Sequence, residues 1–259
     1  FKEFNTPVWL TIPAAALVGA LLGVIFGLPS LRLRGLYLAV STLALHFIVV
    51  YLGGEYETKR GFSTGISIDA PRLFGYEIYG GRAWYYILLV FAALTLWLCV
   101  NLMRSRTGRA WRAIKAHETV AEALGINVAA YKLLAFVISS SIAAVAGALF
   151  AYYRSFVSVE AFSLFLTIQY VAMVIIGGMG SLLGALLGAF FVTIFPYAIE
   201  AALLKLPNAQ SYAGVLFAVN YAAFGLVMIL FLVFEPLGLV GIWHRIQTYF
   251  LLWPFKHRP

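Results

Sequence analysis

The chain has 259 residues, 63% of them hydrophobic and 11% charged, with a mean hydropathy of +0.93. A soluble domain carries about 25% charged residues and about half apolar ones, so a soluble enzyme, a nucleic-acid module and a disordered chain are all excluded. The formal net charge of +8 then reads as Lys and Arg gathered on the cytoplasmic side of a membrane.

Cys99 is the one cysteine in the sequence, which excludes a disulfide framework within this chain. The sequence starts at Phe1 without a basic segment leading into a short apolar core. No signal peptide is therefore expected, and an N-terminal part is expected to be missing. The apolar blocks are too long for the alternating strands of a membrane barrel. They suit helices, which need about 20 apolar residues to cross the hydrocarbon core. The predicted fold class is all-α: a polytopic helical membrane protein, one transmembrane domain over 1–259.

Seven apolar segments are candidate membrane helices: Val8 to Leu28, Leu36 to Leu52, Ala83 to Met103, Leu133 to Tyr153, Phe162 to Ile176, Leu182 to Leu204 and Val215 to Phe234. The fifth has 15 residues and reaches only about 22 Å, so it reads as short or broken. With the N-terminus outside, segments 29–35, 104–132, 177–181 and 235–259 lie inside. They hold 11 basic residues against Glu118, Glu122 and Glu235, a balance of +8. The outer side holds 7 basic and 7 acidic residues. Lys/Arg bias therefore places the 104–132 loop and the C-terminus in the cytoplasm. Trp243, Trp253 and the basic tail read as anchors at that surface. The segment 53–82 becomes an external loop, longer than a simple connection needs, with Tyr56, Phe62, Phe74, Tyr76 and Tyr79 along it.

The segment 104–132 reads RSRTGRAWRAIKAHETVAEALGINVAAYK. Ser105 or Thr107 can cap a helix start. Trp111, Ile114, Ala121 and Leu124 recur at helical spacing, with Glu118 interrupting the stripe. Lys115 and Glu118, three apart, can pair along the surface. Gly125 suits a left-handed stop, and Asn127 can cap the next helix. A short amphipathic helix is thus expected to turn sharply into the fourth span. One reading is a surface helix held at the headgroups by basic residues. The other is a docking helix gripped by a cytoplasmic motor, rigidly joined to a span through the Gly125 turn.

The residues Thr107-Gly108-Arg109-Ala110-Trp111-Arg112-Ala113-Ile114 and Ala121-Glu122-Ala123-Leu124-Gly125-Ile126 resemble the cytoplasmic loop of branched-chain amino acid ABC permeases of the LivM type. Leu31-Arg32-Leu33-Arg34-Gly35, with Tyr37-Leu38-Ala39 and Thr42-Leu43, resembles the family's short inner loop and following helix. Lys132-Leu133-Leu134-Ala135-Phe136 with Ile138-Ser139 resembles the next helix. Val157-Ser158 with Glu160 and Phe162 resembles its outer turn. Ile176-Gly177-Gly178-Met179-Gly180-Ser181 resembles its glycine loop, and Pro236-Leu237-Gly238-Leu239 its C-terminal turn. The match runs in order along nearly the whole chain. The sequence departs from the family in three places. The glycine-rich N-terminal helices have no counterpart. The outer loop reads Gly61-Phe62-Ser63-Thr64-Gly65-Ile66, where the family usually has a Gly-Gly pair before Gly-Ile. His46 stands where an acidic or amide residue is common.

The resemblance implies a permease subunit of an ATP-driven importer in the bacterial inner membrane. It would move branched-chain or other hydrophobic amino acids delivered by a periplasmic binding protein. It implies a second homologous permease subunit and two ABC ATPase subunits. The chain itself would hold no catalytic residue, cofactor or metal, ATP and Mg being bound by the ATPase subunits. No P-loop pattern occurs in the chain. The residues expected to meet the ATPase are Arg109, Trp111, Arg112, Ile114, Glu118, Glu122, Leu124 and Gly125.

The candidate substrate path is Tyr37, Ser41, Thr42 and His46 with Gly177, Gly178, Gly180 and Ser181. His46 is the ionisable residue well inside a span, and such residues are functional candidates by default. A neutral imidazole bonded to a neighbouring helix is the alternative. Ser41 and Thr42 can bond back to their own helix instead. A helix restarting near Ser181 would offer free N–H groups to a carboxylate. The alternative there is a tight turn with small-residue packing through Gly184 and Gly188. Glu200 is expected to reach water or to pair with Lys205. Two other classes compete with the permease reading. An ion-coupled secondary transporter of small solutes would need intramembrane carboxylates, and none lies near a span centre. An intramembrane hydrolase using Ser181 and His46 lacks the G-x-S-x-G elbow.

Overall fold

The structure is a computed structural model that describes residues 8–33, 35–59, 65–68, 71–73, 76–77, 80–203, 216–235 and 237–252. Each predicted apolar segment is a helix. They are α1 (Val8–Ser30), α2 (Leu36–Lys59), α3 (Gly81–Arg104), α6 (Val128–Arg154), α7 (Leu164–Gly177), α8 (Leu182–Leu203) and α9 (Leu216–Phe234). Two short helices, α4 (Arg106–Ala116) and α5 (Glu118–Ala123), form the polar loop. A further helix, α10 (Gly238–Leu252), occupies the expected tail. Five helical runs among the described residues are long and apolar enough to cross a membrane: Leu10–Ser30, Gly81–Arg104, Val128–Arg154, Val159–Gly177 and Leu182–Ala201.

The outward faces of these helices are apolar. Trp97 is 68% exposed and Phe190 69%, which a helix tolerates where lipid replaces water as the solvent. Pro13 and Pro196 lie inside α1 and α8, positions that membrane helices accept because neighbouring groups re-satisfy the freed backbone.

The chain divides into two compact units, 1–162 and 163–259. In the first, α1 and α6 pack along a glycine seam. A Cβ at Gly19 would lie 2.5 Å from the Ala144 Cβ, one at Gly23 2.8 Å from the Val137 Cα, and one at Gly27 2.8 Å from a Leu133 methyl. The four-residue spacing puts all three glycines on one face, so the two backbones approach as small-residue membrane helices do. At one end of this unit Trp84 and Tyr152 are buried with Ile12, Ile68, Ile87 and Leu88 around them. Tyr152 Oη and Thr11 Oγ1 lie 2.7 Å apart in a hydrogen bond.

The same end carries short strands. β1 (Ile66–Ser67) pairs antiparallel with β4 (Phe156–Val157), Ile66 opposite Val157. β2 (Arg72–Leu73) pairs with β3 (Tyr76–Glu77). The Ile68 N–H donates to the Ser155 carbonyl at 2.9 Å, and the Val159 N–H to Glu57 Oε1 at 3.1 Å. A 3-10 turn, Val159–Ala161, follows.

The second unit is built on Ala172, Ile176, Val192 and Phe224. The Phe191 ring stacks on Phe195 at 5.5 Å and meets Phe231 edge-on at 5.8 Å. Gly177 faces Gly184 and Gly188 so closely that a Cβ on any of them would enter the partner's backbone.

Three boundaries differ from the sequence reading. The second helix continues seven residues past Leu52 to Lys59, because a charged end does not stop a helix once its ions pair; Glu55 meets Lys59 at 2.8 Å. The external loop therefore starts later than 53. The fourth span starts at Val128, five residues before Leu133, because Asn127 caps it there. The tail after Pro236 is a helix, with Trp243 half exposed. Arg34, Phe62, Phe74, Tyr79, Lys205, Pro236, Trp253, Lys256, Arg258 and segment 61–64 lie outside the described residues, as does the proposed Glu200–Lys205 pairing.

Candidate functional site

The polar loop is a rigid corner assembled from local signals. Ser105 has extended backbone, and its Oγ accepts the Gly108 N–H at 3.5 Å, starting α4. Gly108 is buried against the Met103 backbone, where a Cβ would clash. Arg112 donates from Nη2 to the Met103 carbonyl at 3.4 Å, and Arg109 from Nη1 to the Arg104 carbonyl at 3.4 Å. The expected single helix is instead two, broken at His117 (φ −154°, ψ 109°). The stripe of Trp111 and Ile114 therefore does not run on in phase to Ala121 and Leu124. Ala121 is buried, whereas Leu124 is 74% exposed.

The end of α5 closes as the sequence predicts. Gly125 takes φ +81°, the Ile126 N–H reaches the Ala121 carbonyl at 3.1 Å, and the Gly125 N–H the Glu122 carbonyl at 2.9 Å. This is the paired-bond C-terminal cap that a left-handed residue permits. Asn127 Oδ1 then accepts the Ala130 N–H at 3.1 Å and starts α6. Two side-chain joints fold the corner onto α6. Trp111 Nε1 donates to the Tyr131 carbonyl at 2.8 Å. Lys132 Nζ meets Glu118 Oε1 at 2.6 Å, an ion pair that sequence spacing did not suggest. The pair is about 40% exposed on each side (39% and 43%), worth under about 1 kcal/mol after screening. The indole bond adds about 1 kcal/mol. These joints set geometry more than stability.

Of the residues expected to meet an ATPase, Arg109, Arg112, Glu122, Leu124 and Gly125 are exposed, and Trp111, Ile114 and Glu118 are half-buried. Sequence reasoning missed Tyr131 and Lys132. The turn at Gly125 carried the signal, because folding the chain back there brings residues just after it onto those before it.

The substrate-path candidates fall in different places. Ser41 and Thr42 line a cavity of about 610 Å³ in the first unit, between α1, α2 and α6. Its wall is mostly apolar: Leu22, Phe26, Leu45, Ile48, Val49 and Phe136, with Gly19, Gly23 and Gly27 flooring the α1 side. Ser30, Ser140 and the two candidates supply hydroxyls, though Ser30 Oγ donates to its own helix at the Phe26 carbonyl (2.8 Å). A few polar groups on an apolar wall is the usual make-up of a small-molecule site. His46 is absent from that wall; it is half-buried, with its ring edge-on to Phe47 at 5.6 Å. Tyr37 is 74% exposed.

In the second unit Gly178 (φ +114°) and Gly180 (φ +83°) make the turn between α7 and α8. Ser181 Oγ accepts the Gly184 N–H at 3.3 Å, so one of the N–H groups expected to await a carboxylate is already capped. The turn also serves packing: Gly178 and Gly238 meet backbone to backbone, with the Leu237 carbonyl 2.5 Å from a Cβ placed on Gly178. Glu235 Oε1 pairs with Arg245 at 2.7 Å. No group of three or more metal-ligating side chains occurs among the described residues.

Apolar helices with small-residue seams and long enough to cross a membrane define a polytopic membrane protein. The family described as "Branched-chain amino acid transport system / permease component" matches residues 1–234, and the chain belongs to that family. Similar proteins include the high-affinity branched-chain amino acid transport system permease protein LivM of Salmonella typhimurium, 35% identical over 210 residues, 72% of this chain and 49% of the relative. A probable branched-chain amino acid transport permease protein LivM of Methanocaldococcus jannaschii is 30% identical over 237 residues, 89% of this chain and 67% of the relative. The autoinducer 2 import system permease protein LsrC of Klebsiella pneumoniae is 32% identical over 187 residues, 68% and 51%. The matched region spans about half the length of the Salmonella protein. No solved structure matches.

Proposed function

We propose that the chain is translocation machinery of an ATP-driven importer for branched-chain or other hydrophobic amino acids, set in a bacterial inner membrane. A periplasmic binding protein delivers the cargo, and a second homologous permease completes the path. Two ATPase subunits bind ATP and Mg, and one of them grips the α4–α5 corner on the cytoplasmic side. Nucleotide binding then biases a two-state change of access. The observation that carries this reading is the corner itself. It is polar, with side-chain caps at Ser105 and Asn127, and exposes Leu124 and Val120 beside Arg109 and Glu122, as a gripped surface requires. The surface-helix alternative needs an apolar face turned to lipid throughout, whereas Ala110 and Ala121 are buried in the protein.

The cavity between α1, α2 and α6 is the place in the first unit for an aliphatic cargo side chain. Its hydroxyls are few and no ionisable residue lines it among the described residues, so the ammonium and carboxylate of the cargo find partners beyond it. Proteoliposomes holding the complete assembly test the reading. Labelled leucine should accumulate only with ATP inside reach of the ATPases, and autoinducer 2 is the competing cargo. Accumulation in vesicles without any ATPase subunit would overturn the mechanism. Uptake that collapses with the proton gradient while ATP stays high would restore the ion-coupled alternative.

A further inference from the structure

Both side-chain joints of the corner land on the first turns of the same helix. Trp111 bonds the Tyr131 carbonyl at 2.8 Å and Glu118 the Lys132 ammonium at 2.6 Å. From there α6 runs unbroken for 27 residues, about 40 Å. Just past its far end, the segment 155–159 ties it to the opposite face of the unit. The Ser155 carbonyl holds Ile68, Val157 pairs with Ile66, and the Val159 N–H holds Glu57. Along its length the Gly19, Gly23 and Gly27 seam fixes α1 to it.

The other helix entering the corner, α3, is placed differently. Met103, in its last turn, seats Gly108 and Arg112. It has no glycine beyond Gly81 at its start; it meets α6 at the outer end, where Trp84 is buried with Tyr152, while Tyr85, Leu94 and Trp97 stay exposed. A displacement passed to α3 reaches α6 through that outer contact around Trp84. The same displacement passed to α6 moves α1 and the outer strands too, since packed helices shift as rigid bodies.

We infer that Trp111 and the Glu118–Lys132 pair are positioning residues that make α6 the rod carrying movement of the corner to residues 57, 66 and 68 at the opposite face. This rests on the reading above that an ATPase grips the corner. Coupling along a structure needs a demonstrated response at the second site, not adjacency alone. Glu160, exposed on the 3-10 turn just past the grip, supplies the place to read it.

The test uses the full assembly in proteoliposomes, with Cys99→Ala and Glu160→Cys as the parent. Maleimide labelling is timed with and without a non-hydrolysable ATP analogue and Mg. A separate single-cysteine variant, Leu124→Cys, monitors the ATPase contact by cross-linking. The nucleotide should change the labelling rate at position 160 severalfold in the parent. Trp111→Phe keeps an aromatic ring but removes the N–H donor, and Glu118→Gln removes the charge; both should abolish most of the response while the cross-link at 124 persists. The swap of Glu118→Lys with Lys132→Glu should restore it, and carries the test alone if Trp111→Phe fails to assemble. A full response in Glu118→Gln and Trp111→Phe overturns the inference, as does a parent that shows none while its cross-link forms. Loss of the cross-link in Trp111→Phe makes that residue a partner contact and overturns its assignment as a joint. Absence of any cross-link in the parent overturns the docking reading itself.

Discussion

At the scale of single residues, backbone conformation decides where the corner stops and starts. Gly125 sits at φ +81° with open space around it, so a Cβ there meets no neighbour and pays only the left-handed cost, about 1 kcal/mol. Gly125→Ala should lower the thermal midpoint of the purified protein by the few degrees that such a loss produces. Asn127→Ala removes the side chain that caps α6 and should cost a further 1 kcal/mol or so, read in the same melt. Ser155 is the reverse case. It is the non-glycine residue with positive φ, +54°, among the described residues, closing α6 as its C-terminal cap. Ser155→Gly should leave stability equal or slightly raised, whereas Ser155→Val should lower it. Asn127 and Gly125 were legible in the sequence because each signals through its own backbone. Ser155 was not, since serine usually avoids that conformation.

At the scale of elements, packing and charge pairing take over from propensity. The stripe at 111, 114, 121 and 124 resembles one helix, yet His117 breaks it in two. Local spacing could not reveal that break, because what rewards it is tertiary: Trp111 reaches Tyr131 and Glu118 reaches Lys132. Ala113→Pro falls inside α4 and should cost about 3 kcal/mol locally. Uptake and ATPase coupling should collapse while the soluble binding protein still binds its cargo; normal uptake would remove the docking role. The α1–α6 seam makes a second prediction. Gly23→Leu forces a side chain into the Val137 backbone 2.8 Å away and should cost about 1–3 kcal/mol, seen as lost assembly or early melting in detergent. The four-residue glycine spacing was not read from the sequence, because its partner helix lies over a hundred residues later in the chain.

At the scale of the whole molecule, exposed apolar faces and small-residue seams place the protein in lipid, and family membership places it among transport permeases. The cavity between α1, α2 and α6 yields a prediction at this scale. Ala44→Phe points new volume into a space of about 610 Å³. It should raise the apparent KM for leucine uptake severalfold with little change in basal ATPase rate. An unchanged KM would move the cargo path elsewhere. Of the residues named from sequence for that path, Ser41 and Thr42 do line this space, while His46 does not.

Composition, hydropathy and Lys/Arg placement determined by themselves that the chain lives in a membrane as helices, and motif order determined its family. Those properties are sums over many residues, or patterns within one segment, so no partner is needed to read them. The tertiary structure alone decided that α1 is zipped to α6, that the corner is clamped onto α6, and that the distant α6 closes the cavity beside the neighbouring α1 and α2. Each of those depends on which surfaces meet, and in lipid, where apolar faces are not driven together by water, fine shape complementarity between backbones makes that choice.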